Sequence, residues 1–378
     1  MAVSPDPYAI DVAACRTRQR RLLDLMQQQQ LDLAIVTQHA HVQYLVGPRF
    51  AWTFSPVAAL WSDGRAVLVA PSQPSEPVAA DDVLTYEAQS FCTLRNDQRQ
   101  KSTQVLLSAL AGQASASRKA APRRVGVEFS RCGPGIAGWQ GAELIDIEPD
   151  LYVLRRRKDP DELARLRKAI AGTGAMHRRA REIIEPGVNE LVVFNELQAA
   201  AVAEYGEMMT GTGNDYACGE RGGPPRNRRI EAGELYILDL GPAFRGYFAD
   251  NTRVTAVGGK PTAEQLDACQ HVARVFELVE KSVRPGKSCR ELFDDAYRQL
   301  NAAGPWEFEH HLGHGIGLYP HEAPHLNPQW DDTFQAGEVF AVEPGLYGGD
   351  LRAGIRLENN YLVTETGVEL LTPFPLEL

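Results

Sequence analysis

What this sequence does not contain narrows its chemistry before any motif is read. No run of ~18 uncharged apolar residues occurs, so no membrane-crossing helix is expected. The opening, MAVSPDPYAIDVAACRTRQRR, lacks a basic stretch followed by an apolar one, and a secretory leader is not expected either. Basic charge is in deficit. The 39 Lys and Arg against 49 Asp and Glu give a net charge of −10, which argues against a nucleic-acid partner held through phosphates. The two basic clusters, Arg155–Lys158 and Arg226–Arg229, read as solvated surface. Six cysteines stand far apart with no C-x-x-C. That pattern suits unpaired thiols in a reducing, cytoplasmic setting rather than a disulfide framework.

What is present is enough for more than one core: 378 residues, 44% of them apolar, suggest two or three domains. Residues 1–154 read as a small α/β domain. RTRQRRLLDLMQQQQ is a helix, LDLAIVT and RVGVEFS are strands, and VAALWSDGRAVLVAP is two apolar runs around a Ser62-Asp63-Gly64 turn. AGQASASRKAAPRR (111–124) reads as a surface loop. A boundary falls near residue 155, and residues 155–378 form the second domain. Its first helix opens at Asp159-Pro160, with Glu162 three residues after the cap, which is a capping-box pattern with Pro at the first helical position. A second helix follows in VNELVVFNELQAAAVAEYG.

The second domain repeats itself faintly. EPGVNELVVFNEL (185–197) resembles RPGKSCRELFDDA (284–296), and AGELYILDLG (232–241) resembles AGEVFAVEPG (336–345). The two offsets are 284 − 185 = 99 and 336 − 232 = 104 residues. Each later pair runs from Ala-Gly-Glu through an apolar strand to an acid, Asp239 or Glu343. A pseudo-twofold axis relating the halves brings these two acids together at its centre. Asp250 lies eleven residues after Asp239 across a Gly-Pro hairpin, and Glu358 lies fifteen after Glu343 across a Gly-rich turn, so each hairpin offers two acids.

Histidine is scarce, nine in the chain, yet four stand in thirteen positions of HHLGHGIGLYPHE (310–322). His314 sits between two glycines, where the backbone can come close to a ligand. Buried carboxylates side by side repel, and divalent cations supply the compensation. Asp239, Asp250, His314, Glu343 and Glu358 make four carboxylates and one imidazole, a set for a hard or borderline cation. Two such ions would cancel the charge and hold a hydroxide that is a nucleophile at neutral pH.

GELYILDLGPAFRGYFADNTR, HHLGHGIGLYPHE, VEPGLY and RLENNYLVT resemble the metal-binding segments of the pita-bread metalloenzymes, which include aminopeptidase P, prolidase, creatinase and methionine aminopeptidase. RTRQRRLLDLMQQQQLDLAIVTQHAHVQYLVG and LYVLRRRKDPDELARLRKA resemble the creatinase-type N-terminal domain and its join to the catalytic one. The resemblance implies an α+β protein, a small α/β creatinase-type domain followed by a pseudo-twofold pita-bread catalytic domain. It implies two divalent ions on Asp239, Asp250, His314, Glu343 and Glu358. Mn²⁺ is the first choice, with Fe²⁺, Co²⁺ or Zn²⁺ as alternatives, and the expected assembly is a homodimer. It implies cleavage of Xaa-Pro amide bonds in a small peptide through a metal-bridged hydroxide, with Glu343 as general base. His310 and His321 are assigned to substrate binding and to oxyanion or proton chemistry. Arg356 is assigned to anchoring a substrate carboxylate or orienting Glu358. His311 stands where the family often has glycine and is given no role.

One departure stands out. Family peptidases usually carry a histidine about seventeen residues before the first metal aspartate, and here that position is Gly222. Cys218, Glu220 and Arg221 are the nearby candidates to replace it. The gap, with Arg221 and Arg226 beside it, opens a second reading: creatinase-like C–N hydrolysis or lyase chemistry on a small metabolite. A metal-free binding module is a third, against which the retained five-residue set argues.

Overall fold

The computed structural model describes residues 6–117, 121–139 and 141–378. The chain divides into two compact units, Met1–Arg155 and Arg156–Leu378.

The first unit is built on a six-stranded mixed sheet, in the order Asp82–Thr85, Ala66–Ala70, Val57–Trp61, Leu33–Val36, Arg124–Val127, Glu143–Asp146. Its central strands are short apolar runs buried along their whole length, as expected where both faces are covered. Leu33 and Ile35 pack with Leu106 and Leu110 of the helix Gln98–Ser117. The alternate residues Ala34 and Val36 meet Leu22, Leu45 and Val46 from the helices Val12–Gln28 and His39–Val46. The Val57–Trp61 and Ala66–Ala70 strands are antiparallel and join at Gly64, which takes φ +90°, a turn conformation that suits glycine.

The second unit carries the duplication. Its first half runs helix Pro160–Ile183, helix Glu190–Tyr205, then the antiparallel pair Leu235–Leu240 and Asn251–Ala256. The second half runs helix Ala263–Ser282, helix Cys289–Asn301, then the pair Val339–Val342 and Asn359–Val363. The backbone repeats in register. Asn189 bridges Arg229 as Ser288 bridges Thr333. Gly187 N donates to Ile230 O at 2.8 Å, and Gly286 N to Phe334 O at 2.8 Å. Both pairs of positions carry the offsets of 99 and 104 residues read in the sequence (286 − 187 and 334 − 230). Asp159 and Glu162 form the expected capping box. The core lies between the last two helices, through Val272, Phe276, Leu292 and Leu300, and the sheet residues Phe340, Val342 and Tyr361.

Two expectations fail. Residues 111–117 are not loop but the end of the helix Gln98–Ser117, because an alanine-rich stretch is helix-forming even when its other residues are small and polar. Residues 118–120 of the same segment lie outside the described residues. The Arg155–Lys158 cluster is not solvated surface: Arg155, Arg156 and Lys158 are buried. Arg156 pairs with Glu338 at 2.5 Å and Asp332 at 3.2 Å, and Lys158 with Glu322 at 3.3 Å. In the Arg226–Arg229 cluster, Arg226 and Arg228 are half-buried on the fully buried Glu190, and only Arg229 fits the expectation.

Candidate metal centre

The two hairpins deliver the acids. Asp239 sits near the end of Leu235–Leu240, opposite Thr252. The chain turns at Arg245 and Gly246, both at positive φ, and Asp250 arrives immediately before the return strand. Glu343 directly follows Val339–Val342, and Glu358 directly precedes Asn359–Val363. The halves are stitched at this level: Glu358 N donates to Thr252 O at 3.0 Å, Thr252 Oγ1 donates to Glu358 Oε2 at 2.8 Å, and Arg253 Nη1 donates to Glu358 O at 2.5 Å.

His314 comes from the three-residue strand Gly313–Gly315, held between Glu322–Leu326 and Val339–Val342. Its glycine neighbours have a packing reason. A Cβ on Gly313 would stand 2.0 Å from Ala341 O, and one on Gly315 2.2 Å from Ala323 O, distances no side chain tolerates. Nδ1 of His314 lies 3.1 Å from Gly315 O. Nε2 faces Glu343 Oε1 at 3.4 Å and Asp250 Oδ2 at 3.7 Å, and the Nδ1 contact orients the ring so that Nε2 is the nitrogen offered to the centre.

The five side chains therefore converge. Asp239, Asp250 and Glu358 can each offer an oxygen with all three within 4.8 Å of one another, and so can His314, Glu343 and Glu358 with one ligand atom each. All five residues are buried. Burial first, and then the charges of neighbouring carboxylates, hold Asp250 and Glu358 well above the usual carboxylate range. Asp239 is raised by burial against the opposing pull of Arg356. Glu343 behaves differently. Burial pushes it up, but hydrogen bonds from His311 and His314 overcome this and hold it well below its ordinary value. Asp239 Oδ1 and Glu358 Oε1 are buried with no hydrogen-bond partner among the described residues. Unmatched acceptors in a cluster of like charge are what a cation repairs, and the oxygen-plus-imidazole donor set suits a divalent one.

The surrounding cavity holds about 500 Å³. Arg356 reaches the site but not Glu358: its Nη2 donates to Asp239 Oδ2 at 2.9 Å and to Asp215 Oδ2 at 2.5 Å. His310 lines the cavity with both ring nitrogens occupied, Nδ1 by His311 O at 2.8 Å and Nε2 by Tyr347 Oη at 3.0 Å. His321 is exposed and stacks on His314 with ring centroids 3.6 Å apart. Partial desolvation of the ring, then the neighbouring His314, lower its pKa to about 4, so it is neutral at pH 7. Of the candidates near Gly222, only Arg221 lines the cavity. Cys218 is buried against Glu234, and Glu220 pairs with Arg226.

Four residues of the cavity escaped the sequence reading: His311, Asp215, Glu309 and Tyr347. His311 Nε2 stands 2.8 Å from Glu343 Oε1. Asp215 and Tyr347 also line the cavity. For His311 the signal was present, since a histidine replacing glycine beside a ligand segment has to point somewhere. For Asp215 and Tyr347 there was none, because their approach depends on loop packing.

The chain is similar to several known proteins. A profile of the creatinase/prolidase N-terminal domain matches residues 18–156. An uncharacterized peptidase of Staphylococcus epidermidis is 31% identical over 235 residues, 61% of this chain and 66% of that relative, so the match spans just under two thirds of its length. An uncharacterized peptidase of Staphylococcus aureus is 28% identical over 95% of this chain and 99% of its own. Among solved structures, an Xaa-Pro dipeptidase from Bacillus anthracis superimposes with a TM-score of 0.79 at 22% identity, covering 97% of this chain and 99% of that one. At that identity the likeness shows the fold. The profile of metallopeptidase family M24 matches residues 164–365, a span that holds every acid and histidine of the centre and more than half of the sequence, and the chain belongs to that family.

Proposed function

We propose that this protein hydrolyses Xaa-Pro amide bonds at a centre of two divalent metal ions, Mn²⁺ before Fe²⁺, Co²⁺ or Zn²⁺. The observation that carries the reading is the pair of ligand triads, Asp239/Asp250/Glu358 and His314/Glu343/Glu358, sharing Glu358. Bound ions supply a polarised scissile carbonyl and a water acidic enough to attack it near neutral pH.

The chain's own groups do the rest. Glu343 accepts the proton of the attacking water and hands it to the leaving nitrogen. His311 and His314 hold its Oε1 at 2.8 and 3.4 Å and keep the carboxylate aimed. His321, neutral and exposed at the rim, hydrogen-bonds the substrate. His310 orients the Tyr347 hydroxyl, which lines the cavity beside it. Arg356 acts on Asp239, holding one carboxylate oxygen. All six cysteines are unpaired, which supports the cytoplasm as the place of work. No helix among the described residues is long and apolar enough to cross a membrane. A homodimer belongs to the same reading on the family resemblance, and sedimentation tests it.

The test is metal content followed by a substrate panel. Purified protein should hold close to two ions per chain and cleave Xaa-Pro dipeptides or longer Xaa-Pro peptides. Full metal loading with no Xaa-Pro turnover sinks the reading. A specific observation favours a second one, C–N hydrolysis of a small metabolite. Beside Gly222, where family peptidases carry a histidine, the Asp215 carboxylate takes up the space: a Cβ at 222 would lie 2.4 Å from Asp215 Oδ2. The same panel, extended to betaine-like metabolites, decides between them.

A further inference from the structure

The cavity is lined by six acids, Asp215, Asp239, Asp250, Glu309, Glu343 and Glu358, and by two arginines, Arg221 and Arg356. Any substrate carboxylate entering it needs an arginine with donors to spare. Arg356 has none. Nη2 serves Asp215 and Asp239, Nη1 serves Arg221 O at 2.9 Å and Tyr347 Oη at 3.5 Å, and Nε is buried with no partner and no route to a ligand. The guanidinium is spent on holding the site together.

Arg221 is in the opposite condition. Its side chain is 58% exposed. Its guanidinium carbon lies over the Tyr347 ring, 4.6 Å from the centroid, and its backbone oxygen accepts a hydrogen bond from Arg356. Its ion-pair partner is Glu309, itself half exposed. A solvent-exposed pair of this kind is cheap to open, so Glu309 covers the guanidinium without committing it. The contact with the Tyr347 ring keeps the guanidinium in place when Glu309 leaves.

We propose that Arg221, not Arg356, reads a free carboxylate on the leaving-group side of the substrate, with Glu309 as the lid that the carboxylate displaces. The substrate class is then a short peptide with its C-terminal acid free, in preference to amidated or extended ones. This rests on the Xaa-Pro reading for the bond cleaved, but the selectivity for an acid is a separate property.

The experiment uses metal-loaded protein and two matched pairs: Ala-Pro with its C-terminal amide for turnover, and their uncleavable reduced-amide analogues for calorimetric binding. The wild type should favour the acid by ~10–100-fold, in KM and in binding, as a charge-assisted pair implies. Arg221→Met should erase that preference, and Arg221→Lys should keep part of it. Glu309→Gln should sharpen it several-fold, an increase that general damage to the fold does not produce. Equal binding of acid and amide by the wild type, or a preference that survives in Arg221→Met, overturns the inference alone. Failure to bind either form overturns it together with the Xaa-Pro reading.

Discussion

The two units of this chain each bury a cluster of carboxylates and histidine, and the clusters are opposites. In the first unit Glu128 is buried, yet its oxygens accept from Thr37 N at 2.6 Å, Thr37 Oγ1 at 2.8 Å, Gln38 N at 2.9 Å and His41 Nδ1 at 2.5 Å. Glu148 beside it accepts from Gln38 Nε2, Ser130 N, Ser130 Oγ and Tyr152 Oη. Burial raises its pKa, but those hydrogen bonds outweigh burial and the net is below the ordinary value. In the second unit Asp250 and Glu358 are raised, and Asp239 and Glu358 each leave an oxygen unmatched. Burial is similar in both places. The donors differ: the carboxylates of the first cluster are satisfied by their own chain, with only His41 Nε2 of its histidine unmatched, whereas the carboxylates of the second are left short of donors and call for a partner of opposite charge. That difference marks the second as the working site.

Removing a carboxylate should therefore have opposite consequences in the two clusters. The largest effect belongs to Asp250→Asn. Metal content should fall, and Xaa-Pro turnover should drop roughly 10³-fold. In chelator-treated protein, however, the same change should raise stability by about 1 kcal/mol, because it relieves like-charge crowding. Elemental analysis, kinetics and urea unfolding read the three. A metal-free Asp250→Asn less stable than wild type breaks the comparison.

Glu128→Ala comes next. It strands His41, Thr37 and Gln38 in a buried place and should cost about 3 kcal/mol with or without metal. Urea unfolding monitored within the first unit should show the loss, with metal stoichiometry unchanged. A loss of metal instead would mean that the first cluster also serves the centre.

Gly222→His ranks third. The new Cβ meets Asp215, whose Oδ1 accepts from Gly223 N at 2.6 Å and whose Oδ2 accepts from Arg356. Forcing them apart should cost about 2 kcal/mol, and Arg356 should lose its hold on Asp239. Asp215→Ala together with Gly222→His should recover most of the stability, a coupling that a double-mutant cycle measures. Additive effects would show that Asp215 does not fill the histidine's place.

Much of this arrangement was legible because it is local. The acids lie at hairpin ends with fixed spacing, His314 is marked by two glycines that strand contact forbids from bearing a side chain, and the duplicated turns at Gly187 and Gly286 repeat within short words of sequence. What escaped was long-range. The partners that bury Arg156 and Lys158 lie 164 to 182 residues away, so the cluster looked like surface. Arg356 meets Asp215 across 141 residues, which redirected it from Glu358 and substrate to a carboxylate no motif contains. Composition misled at 111–117, where alanine's helix propensity outweighed small polar neighbours.

The smallest effect sharpens the comparison by titration. A carboxyl raised in the fold binds its proton more tightly folded than unfolded. In metal-free protein, Asp250 and Glu358 therefore stabilise the fold at low pH, and that contribution is lost as pH rises from the ordinary values of 3.8 and 4.5 through their elevated ones. Glu148 has the opposite sign: its contribution is full above 4.5 and disappears as pH falls through its depressed value. Metal binding must expel the protons held by the centre, so the stabilisation by metal should grow by about 1.4 kcal/mol per pH unit for each proton released. The growth should run upward from low pH and stop once both acids are ionised without metal. Melting curves of loaded and chelated protein across that range supply the slope. A gap independent of pH would mean that the acids of the second unit are already ionised and satisfied, like those of the first, and the contrast between the clusters would vanish.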